Sequence, residues 1–512
     1  MTQALVHSLA EIADIFAEDA PAGGRAIVQT VAGELLDSKA IARAAARISS
    51  HSLGWGDRLV VLCQPTIETI ATMVAAWHVG VVVCPLPPGT KLEVLQTISA
   101  DCGVRFAVDP THDCWIEIGS APSPVSPVLF RTPPRVTGPD LALIIYSSGS
   151  TGSPKGIMLS HANVLSALRS VAGYLGLTAA DTIYSVPPLH FDYGLYQVLL
   201  ACFTDCRVVV ASAGTAVQQA LLAIAAIRPT VVPIVPALGS GLALLGKLRA
   251  EKLESVRLIT NTGGHLPEGV IQSLRVAFPR AAVMPMYGLT ESKRALFIQP
   301  ELVEVRPGSV GRPMPGLEAK VIVAQPAAHG RSLREAEPHE VGELWVRGAS
   351  VMQGYTAAAS GAGAEIVPGQ WRDDNWLATG DLFSTDEHGF FYFRGRSKEL
   401  IKQGGYCLYP RDIEAVVEQN PLVGESVVIG VTDRFGDEIA CLFARMRDEG
   451  NLDDVVAWLK EKFDNHYMPR RWHAVDTWPI NSNGKIDRKA LKAWAERPGA
   501  TGRFNYEQAM PT

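Results

Sequence analysis

The sequence has no basic run and no acidic tail, and only 19% of its 512 residues are charged, for a net charge of −6. A nucleic-acid partner would need a concentrated cationic surface, so none is expected. No stretch reaches ~18 apolar residues without a charge or a proline, so no membrane partner is expected either. Glu11 and Asp14 interrupt the apolar positions near the start, so the chain reads without a signal peptide and its expected location is cytoplasmic. The cysteines (Cys63, Cys84, Cys102, Cys114, Cys202, Cys206, Cys407 and Cys441) are scattered and form no Cys-x-x-Cys pair. Cys202 and Cys206 lie close, but inside an apolar stretch with no partner His or Cys pair. All read as buried, reduced thiols and not as a metal site.

What is plentiful is apolar: 47% of residues, ample for buried cores and against disorder. At ~150 residues per domain the length suggests about three domain-sized units, read as a large N-terminal body and a small appendage. From about Asp57 to Met286, Val- and Ile-rich runs alternate with helical stretches. The expected strands are Arg58–Cys63, Val81–Cys84, Val104–Val108, Leu141–Tyr146, Arg207–Ala211, Val231–Val235, Val256–Thr260 and Ala281–Met286. The stretches Ile67–Val79 and His161–Leu175 read as helices. Few charges in the strands imply burial on both faces, hence mostly parallel sheets covered by helices. After Leu317 the pattern becomes turn-rich and more antiparallel, with strands at Ala319–Val323 and Gly342–Val346 and a flexible loop at Ala357–Gly363. Beyond Arg394–Lys398 an α+β unit is expected: a helix from Arg411, a strand Ser426–Val431, a helix Leu452–Phe463 and a strand near Trp472–Val475. The tail from Pro498 is polar.

The strongest local signal is Tyr146–Gly156 (YSSGSTGSPKG), which follows the apolar run Leu141–Tyr146. Glycines let successive N–H groups turn toward one point and form an anion-binding nest. Ser147, Ser148, Ser150, Thr151 and Ser153 carry hydroxyl donors, Gly149 and Gly152 supply the freedom, and Lys155 adds a cation. The loop suits a polyphosphate, though it is not a Walker A loop. A flexible Ser/Gly linker is the alternative, and the loop by itself specifies neither nucleotide nor chemistry.

With four further segments in order, this loop resembles the adenylate-forming superfamily of acyl-CoA synthetases, nonribosomal peptide synthetase adenylation domains and luciferases. Those segments are Met286–Glu291 (MYGLTE), Thr379–Asp381 (TGD), Arg394–Lys402 (RGRSKELIK) and Pro479–Arg488 (PINSNGKIDR). The resemblance implies an α/β fold. Its large N-terminal domain would hold two helix-covered, mostly parallel sheets plus a β-barrel-like subdomain. A small α+β C-terminal domain would ride on a hinge. The expected boundaries are 1–395, 396–500 and a tail 501–512. It also implies a two-step reaction with ATP and Mg²⁺. The carboxylate attacks the α-phosphate to give an acyl-adenylate and pyrophosphate; a thiol then displaces AMP. The C-terminal domain would rotate between the steps.

By the same resemblance, Tyr287 stacks on adenine, Gly263, Gly264, Met286 and Gly288 line its pocket, and Thr290 meets the α-phosphate. Glu291 would hold Mg²⁺. Asp381 would bind the ribose hydroxyls with help from Arg396, and Lys398 marks the hinge. Lys485, on a turn where a lysine is otherwise merely solvated, would be the catalytic cation.

The segment Pro187–Leu195 (PPLHFDYGL) falls where the family places a wall of the acid pocket. Its Phe-Asp pair, Phe191 and Asp192, matches members that bind a substrate ammonium through the carboxylate. A buried carboxylate needs a cation, so an amino acid (proline-like or β-amino) is the expected substrate. The alternative is that Asp192 pairs with a protein group. Tyr193, Tyr196, Thr260, Thr262, Met286, Arg294 and Ala295 would also line the pocket, with Arg294 able to meet a second carboxylate or to sit in a structural ion pair. The chain is most similar to stand-alone amino-acid adenylating enzymes, so the expected thiol belongs to a discrete carrier protein. A coenzyme A thioester of a small or medium acid is the alternative. A catalytically silent nucleotide-binding protein is disfavoured by the intact Lys485, Glu291 and Asp381.

Overall fold

The computed structural model describes residues 8–16, 27–119, 135–148, 154–247, 253–327, 330–356, 366–368, 375–404, 406–433, 436–447, 450–480, 485–497 and 504. Gly149, Ser150, Thr151 and Gly152 therefore lie outside the described residues, as do the loop Ala357–Gly363 and nearly all of the tail. Ser147 and Ser148 are described as strand backbone only.

One sheet has seven strands, in the order Gly354–Tyr355, Pro154–Ser160, Leu141–Ser148, Val82–Leu86, Arg58–Leu62, Phe106–Asp109 and Cys114–Glu117. Its centre is parallel and its edges antiparallel. Burial does not alternate along its central strands: Leu59, Val60, Val61, Val82, Val83 and Cys84 are all buried, as expected for strands covered on both faces. The helix Ile67–His78 packs on it, started by Thr66, whose side chain accepts from the Thr69 amide. The helix His161–Leu175 begins with a capping box between Ser160 and Asn163.

A second sheet starts with parallel strands in the order Ile27–Thr30, Arg207–Val210, Thr182–Ser185, Val231–Ile234, Leu258–Asn261 and Ala282–Leu289. At Lys293–Phe297 it turns antiparallel and continues through Ser309–Pro313 into the turn-rich strands between Leu317 and Arg396. The C-terminal unit has a three-stranded sheet, Val423–Thr432, Glu438–Met446 and Arg471–Ala474, covered by the helices Pro410–Val417, Leu452–Lys462 and Arg488–Ala495. Phe504 is buried against this unit.

The fold corrects the loop's setting. The helix His161–Leu175 does not follow directly: Pro154–Ser160 is a strand that pairs antiparallel with Leu141–Ser148. Gly156 sits where a β-carbon would meet Thr356 Oγ1 and Cγ2 at 2.7 Å, so the glycine permits strand Gly354–Tyr355 to close on the hairpin. The cysteines are free thiols, but Cys114 and Cys407 are exposed, not buried. Among the described residues no helix is long and apolar enough to cross a membrane.

Candidate active site

A cleft of about 1300 Å³ opens between the large body and the C-terminal unit. It is fed by loops at the carboxyl ends of parallel strands, where such sheets bind ligands. Thr262, Gly263 and Gly264 follow Leu258–Asn261; Gly288, Thr290 and Glu291 follow the core of Ala282–Leu289; Phe191, Asp192, Tyr193 and Tyr196 open the helix Asp192–Thr204.

On the loop side, Lys155 is buried, with Nζ 5.3 Å from the centroid of the Tyr355 ring. Burial and the charge of Lys398 push the Lys155 ammonium below its ordinary range, and Glu291 opposes this. Glu291 accepts a hydrogen bond from the Tyr355 hydroxyl at 2.9 Å. Lys398 itself lies on the exposed helical turn Ser397–Glu399.

On the opposite side, Asp381 is buried and accepts from the Tyr287 hydroxyl at 2.5 Å. Arg396 Nε stands 3.2 Å from its other oxygen. Burial raises the Asp381 carboxyl, and Arg396 and Tyr287 pull it back down. The Gly380 amide donates to Glu343 at 2.8 Å, which fixes the turn that presents Asp381.

Lys485 reaches the cleft from the C-terminal unit. Its Nζ lies 5.6 Å from the Phe191 ring centroid, and its Cε lies 3.1 Å from where a β-carbon of Gly263 would be. Burial lowers its ammonium, as does the charge of Arg396, against the pull of Asp192, Asp381 and Glu291. A cation from one unit thus faces carboxylates from the other.

Four expected site residues do not line this cleft: Thr260, Met286 and Ala295 are buried behind it, and Tyr287 points its hydroxyl at Asp381. Thr260 receives the Tyr193 hydroxyl on its carbonyl and meets it again at Oγ1, both at 2.8 Å. The Tyr174 hydroxyl lies 3.1 Å from Met286 Sδ. The Tyr287 ring packs edge-on to Phe383, with centroids 4.8 Å apart.

The main correction concerns Asp192. The protein supplies its cation: Lys293 Nζ lies 3.6 Å from Asp192 Oδ2, and the Lys293 side chain is almost wholly buried. The need for a substrate ammonium, on which the amino-acid expectation rests, is removed. Sequence reasoning missed Lys293 as the partner of Asp192; the signal was a lysine beside Arg294 at the head of the strand Lys293–Phe297. Tyr355 and Glu343 were missed too, since neither lies in a recognised segment.

Burial pushes Lys293 down to about 8, against the pull of Asp192. Its folded value lies below the unfolded one, so the unfolded chain binds more protons between about pH 8 and the ordinary 10.5, and stability rises with pH across that window. The expected gain is on the order of 3 kcal/mol. Urea midpoints of the wild type and Lys293→Met at pH 8 and pH 10 check this. The wild type should gain on the variant as pH rises; parallel behaviour would contradict the assignment.

Among the described residues no group of three or more His, Cys, Asp or Glu is arranged to hold a metal. A lone carboxylate, Glu291, fits Mg²⁺ that takes most of its ligands from phosphates and water.

The carboxylates Glu291 and Asp381 and the lysine Lys485 from the C-terminal unit meet in one cleft, as befits an enzyme that activates carboxylic acids with ATP. The chain belongs to the AMP-binding enzyme family: residues 38–356 match the AMP-binding enzyme model and residues 412–485 its C-terminal domain. It is an AMP-forming acid–thiol ligase. A probable CoA ligase of Humulus lupulus is 30% identical over 434 residues, covering 83% of this chain and 73% of that protein. Anthranilate–CoA ligase of Pseudomonas aeruginosa is 28% identical, covering 86% of this chain and 87% of that protein. The fold matches the anthranilate CoA ligase AuaEII in complex with anthranoyl-AMP, with a TM-score of 0.79 at 19% identity, over 97% of this chain and 99% of that one.

Proposed function

We propose that the protein is an acid–CoA ligase that makes an acyl-adenylate and passes the acyl group to the thiol of coenzyme A. The observation that carries this reading is Lys485, held against Phe191 and Gly263 at the mouth of the acid pocket. In the first step a carboxylate oxygen of the acid bonds to the α-phosphorus and pyrophosphate leaves. Lys485 neutralises charge growing on the α-phosphate, and Thr290 donates to it. Lys155 and the hydroxyls of the loop hold the β- and γ-phosphates. Asp381, oriented by Arg396 and Tyr287, binds the ribose. Glu291 would hold Mg²⁺, which supplies charge neutralisation on the phosphates. In the second step the thiol sulfur bonds to the acyl carbon and AMP leaves. For that the C-terminal unit turns about Lys398, withdrawing Lys485.

The relatives above are named as CoA ligases, which supports coenzyme A over a carrier protein as acceptor. The test is AMP release from ATP and Mg²⁺ with a panel of acids, run with coenzyme A or with a phosphopantetheinylated carrier protein. The expected result is AMP formed in step with coenzyme A consumed. Turnover with the carrier alone would sink the choice of acceptor.

A further inference from the structure

One buried cation of the acid pocket, Arg294, has no carboxylate partner among the described residues. Arg294 is 4% exposed, and its guanidinium carbon lies 4.7 Å from the Tyr193 ring centroid. Among the described residues it forms no ion pair with a carboxylate, and its buried Nε has no hydrogen-bond partner. The Tyr196 hydroxyl is also buried without one. Lys293 Nζ sits 5.1 Å from the Tyr196 ring centroid. Asp192 therefore answers only one of two adjacent buried cations, and it answers Lys293.

The backbone is bent to achieve this. Lys293 has φ +69, in the left-handed region that residues with a β-carbon avoid. Such strain persists where a site needs it. At Lys293 the charges of Asp192 and Glu291 oppose burial, so these two carboxylates are already engaged by the lysine, and Arg294 acts against them. A buried guanidinium without a counter-charge is costly, and a planar anion is its natural complement. The reacting carboxylate belongs beside Lys485, over Phe191. Arg294 lies over the neighbouring ring, Tyr193, whose centroid is 6.4 Å from that of Phe191.

We infer that the acid this enzyme activates carries a second anionic group, which binds Arg294 and the Tyr196 hydroxyl inside the acid pocket. The inference rests on the ligase reading and narrows it to dianionic acids. A neutral tail would leave Arg294 uncompensated, and an ammonium would be repelled by it.

The test compares matched acids, each offered with ATP, Mg²⁺ and coenzyme A: succinate, 3-sulfopropanoate, butyrate and β-alanine, then the same set one methylene longer and shorter. The expected result is a kcat/KM for at least one dianionic acid about 100-fold above its monoanionic partner, in line with a charge-assisted bidentate contact. Arg294→Met should lower that ratio about 100-fold, and Arg294→Lys should keep part of it. If Arg294→Met does not fold, the wild-type ratio and Arg294→Lys decide. A preference for butyrate or β-alanine homologues, or equal loss on both acids in Arg294→Met, would overturn the inference and leave the ligase reading standing. No AMP from any acid would overturn both.

Discussion

Replacing Lys485 with alanine is expected to lower acid-dependent pyrophosphate exchange by about 100- to 1000-fold, the usual size of one lost transition-state donor. Thioester formation from a supplied acyl-adenylate should stay within about threefold of wild type. The asymmetry follows from position. Lys485 belongs to the C-terminal unit yet stands over Phe191, facing Asp192, Asp381 and Glu291. On the proposed alternation, its contribution exists only while that unit is turned this way. The same setting predicts a pH effect. The ammonium is held below the ordinary lysine range, so the first step should decline with rising pH sooner than a solvated lysine would allow. Single-turnover assays of each step, across pH, measure both. Equal loss in the two steps would falsify the alternation of the C-terminal unit.

Glu414→Ala should destabilise the C-terminal unit by about 3 kcal/mol, because it takes a carboxylate from Arg411 and from the partly buried Arg488 and leaves the buried Val428 amide without its acceptor. Glu414 is 3% exposed. Its Oε1 accepts from the Val428 amide at 2.8 Å and from Arg488 Nη2 at 2.9 Å, and Arg411 stands 3.3 Å from Oε2. Arg411 keeps Glu418 at 3.1 Å, and Arg488 keeps the Val428 carbonyl at 2.8 Å. Amide protection across Val423–Thr432 should fall by about 100- to 1000-fold in hydrogen exchange. Since Arg488 follows Lys485 closely along the chain, the first step should slow as well. A protection loss under about tenfold would show that the network is dispensable.

Much of this is legible in the sequence, for physical reasons that can be named. The strands of the large body are Val- and Ile-rich because both faces are covered, so each run stands out. The helix His161–Leu175 is legible with its bounds because Ser160 and Asn163 supply a cap. The hairpin strand Pro154–Ser160 is not, because Pro-Lys-Gly reads as a loop and its hydrogen bonds come from Leu141–Ser148. The strand Glu438–Met446 also escapes a reading from sequence. Asp192 stands out but its partner does not, because a pairing between a helix start and a strand on another part of the chain leaves no local pattern. Thr260, Met286 and Ala295, expected in the pocket wall but found behind it, and Tyr287, whose hydroxyl turns to Asp381, sit on strands whose ends meet the cleft. Sequence proximity places them near the site without fixing which way each side chain turns.

Gly263 has φ +85, and a single added carbon there would crowd the Lys485 side chain. On the proposed alternation, the visiting lysine leaves an imprint on the domain it visits: a position kept bare. In a relative, a bulkier residue at this place would mark a protein whose lysine no longer calls. Such a protein should still accept a ready-made acyl-adenylate, having kept the second half of the cycle and abandoned the first.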